Sequence, residues 1–259
     1  MLSALIFQPQ VQHHLFYLMT KLRLGRKLIQ ISILVTDFKR FLIMAKPLVK
    51  YCGMKRAEDI AYAVELGVDY IGVILVAETP RGITLEHAAK LRQIIPSHVK
   101  IVTVVRNADA SFIQSLIAQV KPDYIQFHGD ETPEFCAQFK YPFWKAIAVK
   151  NKQETAAVAA EFYAASALVF DAWSDQGSGG HGVQFDWSFM PEKKENNTQL
   201  IGLAGGLTAG NVQDALPLFE QGIIDFIDVS SGTEARGAAQ VKGEKSKEQM
   251  SLFMRNLRG

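Results

Sequence analysis

The chain has 259 residues, 48% of them apolar and 21% charged, with a formal net charge of +2. This mixture supports one large folded core and excludes a disordered, collagen-like or coiled-coil chain. The near-neutral balance argues against nucleic-acid binding, and two cysteines are too few for a disulfide framework, so a reducing cytoplasm is expected.

Charge is unevenly placed. Residues 1–43 hold six basic residues and one acid, Asp37, whereas the remainder holds 22 basic and 25 acidic residues. The apolar runs of this arm are too short to span a membrane, and its charges follow the first apolar run, which is the wrong order for a signal peptide. A transit peptide or an interfacial helix is the functional alternative. Met44-Ala45-Lys46-Pro47-Leu48 reads as a natural start. Residues 1–43 are therefore expected to be a disordered extension or an over-called start, and 44–259 a single domain with no membrane association.

From Leu48 the chain alternates. Short apolar runs predict strands over 48–52, 70–75, 100–105, 124–127, 143–149, 167–170, 200–203 and 223–229. Stripes of 3.6-residue period predict helices over 57–66, 85–95, 110–120, 133–139, 153–164, 209–219 and 245–256. Thr84, Asp109 and Thr208 are candidate N-caps, and Gly67, Pro96 and Gly222 punctuate helix ends. Strands alternating with helices pair in parallel through right-handed crossovers, and eight of them close a barrel. The expected fold is α/β, a (β/α)₈ barrel. Residues 172–187 break the pattern as a long glycine-rich loop that replaces much of the sixth helix.

Two glycine turns follow the last two strands, Ala204-Gly205-Gly206-Leu207 and Asp228-Val229-Ser230-Ser231-Gly232. Loops in these places present backbone N–H groups to a phosphate in many barrels, and glycine lets the backbone come close to the anion. Gly205, Gly206, Ser231 and Gly232 are the candidate phosphate grip. Barrel enzymes keep their chemistry at strand C-termini. Those positions here carry Lys50-Tyr51-Cys52-Gly53, Glu78-Thr79-Pro80-Arg81-Gly82, Gln126-Phe127-His128-Gly129-Asp130-Glu131, Phe170-Asp171 and Asp228. No His/Cys cluster has zinc-ligand spacing, so no metal is expected.

These motifs, with Phe185-Asp186-Trp187 closing the glycine-rich loop and Leu203-Ala204-Gly205-Gly206-Leu207 and Asp228 to Glu234 behind it, resemble phosphoribosylanthranilate isomerase over about residues 47–256. The resemblance implies an Amadori rearrangement of a phosphorylated sugar-anthranilate in tryptophan biosynthesis, without cofactor or metal. It implies Cys52 as general base and Asp171 as general acid, with Arg81 for the anthranilate carboxylate. Gln126 and His128 would line the pocket, and Asp228 would hold a ribose hydroxyl or orient the phosphate loop. A thiol base needs surroundings that favour the thiolate, and an acid near neutral pH needs a raised pKa, which burial beside Phe170 supplies. Lys50 is a candidate neighbour for Cys52, or a side chain of the barrel interior. Cys136 is assigned to packing.

The chain departs from the family at His181, where threonine is usual, and at Tyr51, where isoleucine is usual and the side chain is expected to face the helices. It also lacks a proline after Glu234. The other readings are a different phosphate-binding barrel enzyme, whose metal ligands or catalytic Lys–Glu set the strand ends lack, and a binding module without turnover. The chain is too short for a two-barrel fusion. Monomer and homodimer both remain open.

Overall fold

The computed structural model describes residues 46–172, 185–191, 198–235 and 241–259. The expected extension at 1–43, His181 and nearly all of the glycine-rich loop lie outside these residues. Eight parallel strands form a closed barrel in chain order. They are β1 (Leu48–Tyr51), β2 (Tyr70–Ile74), β3 (Lys100–Val105), β4 (Tyr124–Phe127), β5 (Phe143–Val149), β6 (Ala167–Ala172), β7 (Leu200–Leu203) and β8 (Phe226–Val229). The helices are α1 (Ala57–Glu65), α2 (Leu85–Ile94), α3 (Ala110–Val120), α4 (Pro133–Ala137), α5 (Lys152–Glu161), α6 (Leu216–Glu220) and α7 (Lys247–Arg258).

Local chemistry sets several boundaries. Thr84 and Asp109 accept from the N–H of His87 and Phe112, as expected of N-caps. Thr208 does not cap a helix. Its hydroxyl accepts from Gly210 in a turn, and the stretch expected to be one helix is a 3₁₀ turn at Val212–Ala215 followed by the short α6. Pro217 explains the break, because its ring tolerates only the first turn of a helix and forces a restart at Leu216. Strand β8 begins at Phe226, three residues later than expected. Gly222, at φ +70°, reverses the chain, and Ile223 N–H turns back to Leu218 O at 2.9 Å.

One repeated device builds the lower barrel. Asp69-Tyr70-Ile71, Asp123-Tyr124-Ile125 and Asp225-Phe226-Ile227 each open an even-numbered strand. Each aspartate accepts the first free N–H of the strand before it: Val49 at 2.9 Å, Ile101 at 3.0 Å and Ile201 at 2.7 Å. The aromatic that follows points into the barrel, and the isoleucine points out to the helices. Trp144 of β5 meets all three rings, at 5.0 Å to Tyr70, 5.2 Å to Tyr124 and 4.9 Å to Phe226. Gly202 makes room for this plug, since a Cβ there would lie 2.2 Å from the Phe226 ring. Aromatic rings thus fill the barrel floor, and the charged side chains of the interior, Lys50 and Asp228, lie in the layers above it.

Outward residues form the second core, against the helices. Tyr51 is fully buried there, as expected, with its hydroxyl donating to Met250 O at 2.7 Å and its ring edge-on to Phe253. Cys136 sits in the same layer on α4, where burial pushes its thiol up to about 12.

Candidate active site

Strand periodicity places Lys50 and Cys52 on one inward face of β1, with Tyr51 between them turned outward. Gly72 on β2 makes that pair fit. A Cβ at Gly72 would lie 2.8 Å from Cys52 Sγ and 3.0 Å from Lys50 Cε. Above the aromatic plug, Lys50 is fully buried and donates to Asp228 Oδ2 at 2.6 Å and to Gln126 Oε1 at 2.7 Å. An ammonium only donates, so Gln126 must turn its Oε1 to Lys50 and its Nε2 toward His128 Nδ1, 3.4 Å away. The other His128 nitrogen, Nε2, lies 3.3 Å from Asp171 Oδ2. A polar chain therefore crosses the barrel mouth from Asp171 through His128, Gln126 and Lys50 to Asp228, with Cys52 beside Lys50.

Asp171 lies on β6 itself, which runs two residues further than expected. Its Oδ1 accepts from Ala172 N–H at 2.8 Å. Asp228 is 7% exposed, and its Oδ1 has no hydrogen-bond partner among the described residues.

The Cys52 environment reverses one expectation. Burial pushes the thiol above its usual range; Lys50 and Lys245 pull against this, Asp228 adds to it, and burial prevails. The resting mouth thus favours thiol over thiolate. For Lys50 burial pulls the ammonium down, but Asp228 and Cys52 outweigh it and hold it above the usual lysine range.

Arg81 reaches the mouth, but its fork is taken. Nε and Nη2 donate to the two carboxylate oxygens of Glu234, at 2.6 and 3.0 Å. Glu234 is fully buried, and Lys245 lies behind it, 3.9 Å from Oε1, while donating to Ser230 O at 2.8 Å. Burial pulls Lys245 down to about 8 against the attraction of Glu234. Ser230 in turn donates from Oγ to Cys52 O at 3.2 Å, so this cluster braces the residue after β8 against the residue after β1.

These groups surround one cleft at the C-terminal ends of the strands. Cys52, Arg81, Gln126, His128, Asp171 and Asp228 all line it, as do Gly205, Gly206 and Ser231. Gly205 and Gly206 have φ of +85° and +63°, which suits glycine. The N–H groups of Gly205, Gly206, Ser231 and Gly232 make no hydrogen bond among the described residues. Gly232 does not line the cleft. Its hydrogen faces Leu207 O, where a Cβ would lie 1.9 Å away, so it lets the loops after β7 and β8 touch. Sequence reasoning left Lys50 without a role, held Glu234 only as the end of the Asp228–Glu234 motif, and missed Lys245. Lys50 carried a signal in its two-residue spacing from Cys52, whereas Lys245 carried none.

Among the described residues no group of three or more His, Cys, Asp or Glu is placed to hold a metal, and no helix is long and apolar enough to cross a membrane.

Comparison with known proteins agrees with this geometry. A family model described as N-(5'-phosphoribosyl)anthranilate (PRA) isomerase matches residues 49–255. A Legionella pneumophila (strain Lens) protein named N-(5'-phosphoribosyl)anthranilate isomerase is 41% identical over 211 residues, covering 82% of this chain and 97% of its own. A Thiobacillus denitrificans protein of the same name is 37% identical over 206 residues, covering 80% and 95%. The crystal structure of phosphoribosyl anthranilate isomerase from Thermotoga maritima superposes with a TM-score of 0.70 at 27% identity, covering 82% of this chain and 98% of that one. A crystal structure of a phosphoribosyl anthranilate isomerase in complex with reduced 1-(o-carboxyphenylamino)-1-deoxyribulose 5-phosphate superposes with a TM-score of 0.67 at 25% identity, covering 82% of this chain and 98% of that one. With the family matched along nearly the whole barrel and the mouth built from its motif residues, the chain belongs to the N-(5'-phosphoribosyl)anthranilate isomerase family.

Proposed function

We propose that the barrel, residues 44–259, converts N-(5-phosphoribosyl)anthranilate to 1-(2-carboxyphenylamino)-1-deoxyribulose 5-phosphate, with Cys52 as base and Asp171 as acid. The observation that carries the assignment is the polar chain that joins the two across one cleft. The phosphate would sit on the free N–H groups of Gly205, Gly206 and Ser231. That anchor fixes the ribose between β1 and β6.

Asp171, with His128 at its side, delivers a proton to the ring oxygen. The C1–O bond breaks as the anilino nitrogen forms a C1=N bond, which opens the ring to a protonated Schiff base. Cys52, as thiolate, removes the proton from C2, and that electron pair flows through C1 to nitrogen to leave an enolamine. A proton gained at C1 and one lost from the C2 hydroxyl give the ketose. The Lys50 ammonium beside Cys52 favours the thiolate at this step, and Asp228 Oδ1 offers an open acceptor to a ribose hydroxyl. Arg81 keeps one guanidinium edge for the aryl carboxylate. A reducing, cytoplasmic setting suits a thiol base, and both cysteines are free. A homodimer is one assembly that fits, since a Thermotoga maritima relative is described as dimeric.

Turnover of freshly generated substrate, followed by loss of its fluorescence, tests the assignment. Wild type should turn over, and Cys52→Ala and Asp171→Asn should each lose roughly 10²-fold or more. Binding without turnover by wild type would replace the isomerase with a binding module.

A further inference from the structure

We propose that Lys245, buried behind the loop after β8, is a positioning residue for the substrate phosphate. It draws the Ser230 carbonyl away from the cleft, which turns the Ser231 N–H toward the anion, and it sets a positive charge behind that donor. This rests on the phosphate grip of the isomerase reading above, in which Lys245 has no part.

The reaction leaves Lys245 unused, yet its side chain is fully buried. A buried ammonium is costly unless it is paired. Its acidic neighbours are committed elsewhere. Glu234 gives both oxygens to Arg81, at 2.6 and 3.0 Å, and stands 3.9 Å from Lys245. Asp59 is held by Arg56 at 2.8 and 2.9 Å. The close partner of Lys245 is a neutral group, Ser230 O at 2.8 Å. Arg81 and Lys245 thus share the single charge of Glu234, and the three together keep one positive charge in excess.

Ser230 O also accepts from Thr233, from Oγ1 at 2.8 Å and from N–H at 3.2 Å. Three donors on one carbonyl, one of them an ammonium, pin the peptide that joins Ser230 to Ser231. That peptide is planar and trans, so its C=O and N–H point in opposite directions. Ser231 lines the cleft and Lys245 does not. With the carbonyl drawn to Lys245, the N–H turns to the cleft, where it makes no hydrogen bond among the described residues. An ammonium on the carbonyl also polarises the amide and strengthens its N–H as a donor. Lys245 itself is firmly mounted. It bridges antiparallel to Glu234, Ser246 N–H donates to Thr233 O at 2.8 Å, and Arg56 Nη2 donates to Lys245 O at 2.9 Å.

The test is an amide NMR titration with two probes, inorganic phosphate and anthranilate, one for each end of the substrate. It is run at constant ionic strength and about pH 7, where a lysine pulled down only to about 8 is still charged. In wild type, phosphate should move the Ser231 amide resonance. Lys245→Met should weaken phosphate roughly fivefold or more and leave anthranilate within about twofold. Lys245→Gln keeps a donor for Ser230 O without the charge; it should lose part of the same affinity, and it serves alone if Lys245→Met does not fold. An equal loss for both probes, the mark of a loosened fold, or an unchanged phosphate affinity overturns the proposal and leaves the phosphate grip standing. Phosphate that moves none of the Gly205, Gly206 and Ser231 amides in wild type overturns the grip and this proposal with it.

Discussion

Gly72→Ala tests whether the barrel wall sets the position of Cys52. The added Cβ would lie 2.8 Å from Sγ and 3.0 Å from Cys52 Cα and Lys50 Cε. Ordinary heavy-atom contact is about 3.5–4.0 Å, so the thiol must retreat by about 0.7–1.2 Å, or β1 must move as a whole. Overpacking of this kind destabilises by about 1–3 kcal/mol, partly offset by the stiffer unfolded chain of alanine. A proton-transfer group displaced by about 1 Å loses on the order of 10²-fold in rate. Gly202→Ala is the control, because its Cβ would strike the Phe226 ring at 2.2 Å in the barrel floor, away from Cys52. Steady-state kcat and thermal unfolding of both variants separate the effects. Gly72→Ala should lose kcat out of proportion to its melting temperature, and Gly202→Ala should do the reverse. Wild-type kcat in Gly72→Ala, or an equal kcat loss in Gly202→Ala, refutes the reasoning.

The remaining predictions concern the charges of the mouth. Lys50→Met leaves the Asp228 carboxylate buried and unpaired and should destabilise by about 3–5 kcal/mol in denaturant unfolding, with Lys50→Met/Asp228→Asn recovering part of it. Because burial holds the Cys52 thiol above its usual range, the rising limb of kcat/KM against pH should lie on the alkaline side of neutrality. Below that pKa the thiolate fraction gains tenfold per pH unit, so a flat profile from about pH 7 to 9 would exclude Cys52 as the base. Glu234→Gln removes the charge that faces both Arg81 and Lys245 and should lower stability by about 3 kcal/mol, read as a shifted denaturant midpoint.

Much of this protein is local and was legible as sequence. Period-2 and period-3.6 patterns mark alternating strands and helices, and the order of short motifs, from Lys50-Tyr51-Cys52-Gly53 to the Gly205 and Ser231 turns, identifies the family. Local punctuation was readable where one residue dominates, as at Thr84, Asp109 and Gly222. It failed at Thr208 and Pro217, where a turn competes with a helix. The Asp-aromatic-Ile repeat was visible in the residues, but its meaning needed the barrel, since each aspartate binds a strand some 20 residues away.

Only the closed barrel decided the electrostatics. Lys50 meets Gln126 and Asp228 across 76 and 178 residues of chain, and Arg81 meets Glu234 across 153. Strand alternation says which way a side chain points, but the partner it finds depends on closure of β1 on β8. For that reason Cys52 was expected in surroundings that favour the thiolate and Arg81 as an open fork, whereas burial pushes the thiol's pKa up and Glu234 occupies two of the guanidinium donors. Local preference is written in neighbouring residues, but charge in a low-dielectric interior is set by whichever distant groups the fold brings within a few ångströms.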